Sequence, residues 1–126
     1  MKLNKQEIFD FFVKAKGFDP FLINLIETVS ALGGLDWQTG KGYSDLYEQV
    51  LLKALLWFDK QGIYIRIYPN NAAGDQMLYV YDYAMQHYVV TEGYNDHSSY
   101  FDSYIEALEY AVFEMIKLVG NEGNGK

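Results

Sequence analysis

The sequence of 126 residues contains no cysteine. This absence excludes a disulfide framework, a zinc site with thiolate ligands, an iron–sulfur cluster and a cysteine nucleophile. Positive charge is also scarce, because 10 lysines and arginines stand against 17 acids, and Arg66 is the only arginine. Nucleic acids and anionic membrane surfaces attract proteins with a positive field. With a net charge of −7, we therefore expect no nucleic-acid partner and no membrane partner.

Long apolar runs are missing as well. The longest apolar stretches fall far short of the ~20 residues that a membrane-spanning helix needs. Gln6, Glu7 and Asp10 interrupt the segment after the basic start, so we predict no signal peptide and a cytoplasmic location. Half of the residues are hydrophobic, which is too many for a disordered chain and enough for one folded domain.

Three helices are predicted in the first half of the chain. Asn4 with Glu7, and Asp19 with Pro20, are start signals for helices over about residues 5–16 and 20–32. The apolar stripe of the second helix consists of Phe21, Leu22, Leu25, Ile26, Val29 and Leu32. Four glycines in 33–42 predict a loop, after which Ser44 caps a helix over about 45–60. Leucines lie nearly all round this third helix, which predicts that other parts of the protein pack on it from more than one side.

After Gly62 the apolar pattern changes to a period of two, which predicts strands. The isoleucines at 63, 65 and 67 alternate with polar or aromatic residues, a turn follows over 69–75, and 77–83 alternates again. A third strand is predicted over 87–91, and short links favour an antiparallel meander. Ser103 and Glu106 form a second capping box, and Gly120 is the predicted end of the last helix.

The order of elements predicts an α+β fold: two N-terminal helices, then a helix, a three-stranded antiparallel meander and a C-terminal helix packed on one sheet face. We expect a single domain over 1–120, made of a helical hairpin (1–34), the glycine-rich loop (33–42) and an acidic body (43–120), followed by a frayed tail (121–126). Residues 1–42 carry five lysines and five acids, whereas 43–126 carry five basic and twelve acidic residues. The loop is therefore the alternative place for a domain boundary.

Candidate catalytic or metal-binding groups do not form a recognisable motif. His87 and His97 lie near acids that could supply oxygen ligands to a metal, but the dense spacing of a metal motif is missing. Glu106 is explained as a capping residue and Glu114 by a solvated helix face. We predict no catalytic residue, no metal and no cofactor. A small enzyme or metal binder that uses His87 or His97 remains an alternative.

Tyrosine is the residue type that stands out, with 12 copies. If the isoleucines of the first strand and Leu78 and Val80 of the second face the helices, six residues share the opposite sheet face: Tyr64, Arg66, Tyr68, Tyr79, Tyr81 and Tyr83. Tyrosine is enriched at protein interfaces, so this face is a candidate partner-binding surface. The alternatives are that the N-terminal helices cover it or that the rings only strengthen the sheet.

The tyrosine-rich strands (78–83 and 88–90) followed by the helix opening at 104–109 resemble small proteins carried by bacterial phages and mobile elements. The resemblance covers residues 60–119. It implies a small cytoplasmic protein and carries over no catalytic residue.

The sequence leaves open three functions from different classes. The first is a non-enzymatic protein–protein interaction module that binds a partner protein or forms a homodimer through the tyrosine face or the acidic surface. The second is an acidic mimic of nucleic acid that inhibits a basic protein. The excess of negative charge in residues 43–126 supports this hypothesis. The third is the small enzyme or metal binder that uses His87 or His97.

Overall fold

The computed structural model describes residues 4–33, 44–73, 76–85 and 100–124. These ranges form four helices and two strands in the order α1 (Lys5–Lys14), α2 (Pro20–Ala31), α3 (Ser44–Lys60), β1 (Ile63–Ala73), β2 (Gln76–Met85) and α4 (Tyr104–Asn124). The strands form an antiparallel hairpin. The predicted α+β class is therefore confirmed, whereas the predicted third strand at 87–91 lies outside the described residues.

α1, α2 and α4 start directly after their predicted capping residues, whereas α3 already includes Ser44, the residue predicted to cap it. The Asn4 side chain accepts hydrogen bonds from the backbone N–H groups of Gln6 and Glu7, at 3.0 and 3.3 Å. Ser103 Oγ accepts from the Glu106 N–H at 3.1 Å, while the Glu106 carboxylate reaches back to the Asp102 N–H at 3.2 Å. Each cap satisfies backbone donors that the first helical turn leaves without a partner.

Several element ends differ from the prediction. α1 ends at Lys14, and Gly17 adopts a φ of +87° in the turn that leads to α2. β1 continues through Pro69 to Ala73 instead of turning there. A proline is tolerated in a strand when its missing N–H falls on an unpaired edge, and β2 is the only described strand that pairs with β1. α4 runs past Gly120 to Asn124, so the prediction that this glycine ends the helix is wrong.

One hydrophobic core contains side chains from all six elements. α1 packs on α4 and α2 packs on α3, while α3 and α4 both contact the hairpin. The N-terminal helical hairpin therefore shares its core with the acidic body. The largest fully buried side chains are Phe12, Phe58, Phe113, Ile8, Ile26, Leu51 and Leu108. Burying each such side chain contributes roughly 1.5–3 kcal/mol.

Within the described ranges, no helix is both long enough and apolar enough to cross a membrane.

Candidate functional site

The register of the hairpin decides which tyrosines share a face. Ile65 lies opposite Tyr83 and Ile67 lies opposite Tyr81. Because directly opposed residues of an antiparallel pair point to the same side of the sheet, Tyr79, Tyr81 and Tyr83 lie on the isoleucine face, toward the helices. The prediction that all six candidate residues share the other face is therefore wrong. Tyr64, Arg66 and Tyr68 lie on that face, and the other three do not.

The physical reason is a difference of one residue in register. The prediction assumed that the aliphatic residues of both strands point the same way. The observed pairing places Val80 opposite Tyr68, so the second strand presents its tyrosines to the core instead. A shift of one residue exchanges the two faces of a strand, and the alternation within each strand leaves this shift undetermined. Val80 is 1% exposed on the outer face.

Tyr79 and Tyr81 on the inner face make structural contacts with α4 and with Phe101, which precedes it. The Tyr81 hydroxyl donates a hydrogen bond to the Glu114 carboxylate, and its ring stacks on Phe101 at a centroid distance of 6.0 Å. Tyr79 exchanges two backbone hydrogen bonds with Phe101, at 2.8 and 2.9 Å. Glu114 is half-buried, so its predicted place on a solvated helix face is also wrong. These contacts explain Tyr79 and Tyr81 without a partner protein.

On the outer face the candidate residues form a cross-strand unit. Arg66 Nη2 lies 2.5 Å from Asp82 Oδ2, and Arg66 Nε lies 3.2 Å from Oδ1 of the same carboxylate. The guanidinium also lies 4.8 Å from the centre of the Tyr68 ring. Tyr64 is exposed beside this unit. The only arginine of the chain is therefore paired with a carboxylate, which leaves this face without an excess of positive charge.

A second surface, which the sequence did not predict, lies on α2. Phe21 and Leu32 are 86% and 82% exposed, and Leu25 is 48% exposed. We call these three side chains the α2 patch. Of the predicted apolar stripe of α2, only Leu22 and Ile26 are buried in the core. At 100° per residue, the apolar side chains of this helix span an arc of about 200°, wider than one packing face covers. The width of this arc is the feature of the sequence that could have predicted exposed apolar side chains on α2.

α3 also has exposed apolar side chains. Leu52 and Leu56 are exposed. α3 nevertheless contacts α2, α4 and β1, so the prediction that it is covered on more than one side is confirmed. Leu56 also lines a cavity of about 230 Å³ at the start of α2, together with Gly17, Phe18, Asp19, Lys53, Trp57 and Lys60. Exposed apolar side chains therefore lie on both helices that meet at this cavity.

Asp19 connects the start of α2 to α3. Its Oδ1 accepts hydrogen bonds from the N–H groups of Phe21 and Leu22, at 3.0 and 3.2 Å, and its Oδ2 lies 3.1 Å from Lys53 Nζ. The Leu22 N–H and the Lys53 ammonium, in that order, hold the pKa of Asp19 below its ordinary value of 3.8. The carboxylate therefore stays charged well into the acidic range.

A buried ionic cluster joins three helices at the other side of α1. Glu109 of α4 is a buried charged residue, and its Oε2 accepts from the Tyr47 hydroxyl at 2.5 Å and from the Lys5 ammonium. Lys5 Nζ also lies 4.8 Å from the centre of the Tyr47 ring. The two donors satisfy the buried carboxylate, so we interpret the cluster as a structural link between α1, α3 and α4.

The described side chains contain no cluster of three or more His, Asp or Glu residues that could hold a metal ion. His87 and His97 lie outside the described residues. The chain matches no protein-family model, no curated protein and no solved structure.

Proposed function

We propose that this protein is a non-enzymatic protein-binding module and that its binding surface is the α2 patch. The partner is another protein or a second copy of the chain. The observation that carries the proposal is the row formed by Phe21, Leu25 and Leu32, whose two end members are almost fully exposed. Single exposed apolar residues are common on protein surfaces, whereas several large apolar side chains exposed on one side of the same helix are the kind of surface that interaction sites use.

The geometry of the row supports helix-mediated docking. The three positions lie within about 40° of one another around the helix axis, and Phe21 lies about 16 Å along that axis from Leu32, the C-cap residue of α2. Covering one large apolar side chain contributes roughly 1.5–3 kcal/mol. Three anchors on one face of a helix are typical of complexes in which an apolar helix face fills a groove.

The scarcity of charged residues on α2 favours the close approach of a partner. The helix contains one charged residue, Glu27, which lies on the side away from the α2 patch. A second copy of α2 could therefore pack against the first without bringing like charges together. The same feature allows an apolar surface of another protein to cover the patch without burying an unpaired charge.

Site-specific photo-crosslinking in the cells that produce the protein tests the proposal. A photoreactive benzoyl-phenylalanine replaces Phe21 in one variant and Glu27 in a control variant on the opposite side of the same helix. We expect a discrete adduct from position 21 and none from position 27. An adduct of twice the 14.6 kDa chain mass identifies a second copy, and any other mass identifies a partner protein.

A third variant shows whether the adduct depends on the apolar row. Leu25→Ser, combined with the photoreactive residue at position 21, should reduce the adduct strongly because it removes the central anchor. Equal labelling from positions 21 and 27, or no adduct from either, would contradict the proposal.

A further inference from the structure

The cavity at the start of α2 has the dimensions of a pocket for one side chain. Its volume is about 230 Å³. Sites for drug-sized ligands usually measure roughly 300–1,000 Å³, whereas an apolar cavity of roughly 150 Å³ already holds benzene. The cavity is half open to solvent and lined by both apolar and charged side chains, and its volume is enough for a phenyl ring or a branched aliphatic group.

Two apolar side chains that line the cavity, Phe18 and Trp57, are fixed in place by the core. Trp57 Nε1 donates a hydrogen bond of 2.9 Å to the Lys16 carbonyl oxygen, and the indole meets the rings of Phe11 and Phe12 edge-on at 5.6 and 5.7 Å. Phe18 is buried and packs on Phe12 at a centroid distance of 4.5 Å. Walls that are already fixed lower the ordering cost of binding an occupant.

The rim of the cavity is positively charged, in contrast to the chain as a whole. Asp19 and Lys53 both line the cavity and form an ion pair at 3.1 Å, so the charge of Lys53 is neutralised. Lys60, which is exposed, forms no ion pair with any residue that the structure describes. One positive charge is therefore left at the mouth, beside the exposed side chain of Leu56.

We propose that this cavity receives an aromatic or aliphatic anchor residue of a partner protein, and that an acidic residue next to the anchor pairs with Lys60. The proposal rests on the proposed function and specifies the chemistry of the partner. A carboxylate fits better than a phosphate, because phosphate sites generally use a guanidinium fork or several backbone N–H groups, and the rim offers one unpaired ammonium.

A peptide titration followed by the indole N–H resonance of Trp57 tests this proposal. The probe is a capped peptide with one phenylalanine between two glutamates. One control peptide replaces phenylalanine with alanine, and a second replaces both glutamates with lysines. We expect the Trp57 resonance to shift at millimolar concentrations of the probe and not with the alanine peptide. An exposed ion pair predicts roughly three- to fivefold weaker binding of the lysine peptide.

Two charge-reversal variants separate the rim from the general field of the protein. Lys60→Glu should weaken binding of the glutamate peptide and strengthen binding of the lysine peptide. Lys14→Glu makes the same change in net charge away from the cavity lining and should alter neither affinity by more than about twofold. An identical response of the two variants would overturn the role of Lys60.

The proposal for the cavity and the proposal for the α2 patch can be contradicted independently of each other. No shift of the Trp57 resonance with the probe, or equal shifts with the phenylalanine and alanine peptides, would overturn the cavity as an anchor site. The proposed function would still stand if photo-crosslinking at position 21 gave its adduct. The absence of that adduct would overturn the proposed function itself, even if the peptide shifted the Trp57 resonance.

Discussion

α2 and α4 are both apolar helices, yet they differ in how far the rest of the molecule covers them. α4 contacts α1, α3 and both strands, and most side chains from Ala107 to Ile116 are buried. α2 packs mainly on α3 and fully buries only Leu22 and Ile26. The number of neighbouring elements, rather than apolar content, decides which helix becomes core. α2 therefore keeps apolar surface that another molecule can cover.

The largest expected effect comes from making one substitution in both helices. Leu108 of α4 is fully buried, whereas Leu25 of α2 is half exposed. Leu108→Ala should lower the free energy of unfolding by about 2–5 kcal/mol, because it removes apolar contacts and leaves a cavity. Leu25→Ala should lower it by less than about 1 kcal/mol. Urea denaturation measures both, and equal losses would show that α2 is as much a part of the core as α4.

The next effect concerns the two ion pairs that tie α4 to α1. Lys5 pairs with the buried Glu109, whereas Lys117 pairs with the exposed Glu7 at 2.6 Å. Lys5→Met leaves a buried carboxylate with one donor and should cost about 1–2 kcal/mol. Lys117→Met should cost less than about 0.5 kcal/mol, since an exposed pair is screened by solvent. Denaturation curves that rank the two variants in the opposite order would refute this assignment.

A smaller effect tests how α4 is joined to the sheet. Tyr81→Phe removes the hydroxyl that donates to Glu114 and should cost about 0.5–1.5 kcal/mol. Tyr64→Phe removes a hydroxyl from an exposed tyrosine of the other face and should be neutral within about 0.5 kcal/mol. If thermal unfolding showed no difference between these variants, the Tyr81 hydroxyl would have no role in holding α4 on the sheet.

The smallest expected effect concerns Asp19, which caps α2 and pairs with Lys53 of α3, and this effect depends on pH. Because its pKa is lowered on folding, Asp19 stabilises the folded state above its unfolded pKa of about 3.8. This stabilisation is lost as the pH falls through the lower folded value. Asp19→Asn keeps an N-cap acceptor without the charge. The wild type should melt at a higher temperature than this variant near neutral pH, and the difference should disappear in acid. A constant difference across this range would contradict the assignment.

Local signals in the sequence predict much of this fold. Asn4, Asp19 and Ser103 are the first-turn acceptors of their helices, as their residue types predict. The alternation after Gly62 predicts three strands, of which the first two are confirmed and the third lies outside the described residues. Such features depend on backbone hydrogen bonds and side-chain directions within a few residues of the chain, and so the amino-acid order is sufficient to find them.

The candidate site could not be predicted in the same way, because it depends on how elements meet. The face of Tyr81 follows from its pairing with Ile67, which is a property of the hairpin register and not of either strand alone. The exposure of Phe21 follows from how little of α2 its neighbours cover. The buried pairing of Glu109 with Lys5 joins residues 104 positions apart. All three require the tertiary arrangement.

The most direct measurement compares the α2 patch with the outer sheet face in the native assembly. Fresh extracts that contain the wild type, Leu25→Ser or Tyr64→Ser are separated by size, and the chain is detected in each fraction. We predict that the wild type and Tyr64→Ser elute in an assembly heavier than the 14.6 kDa chain, and that Leu25→Ser elutes as the single chain. Release of the chain by Tyr64→Ser, with the Leu25→Ser assembly intact, would contradict the assignment of α2 as the binding surface.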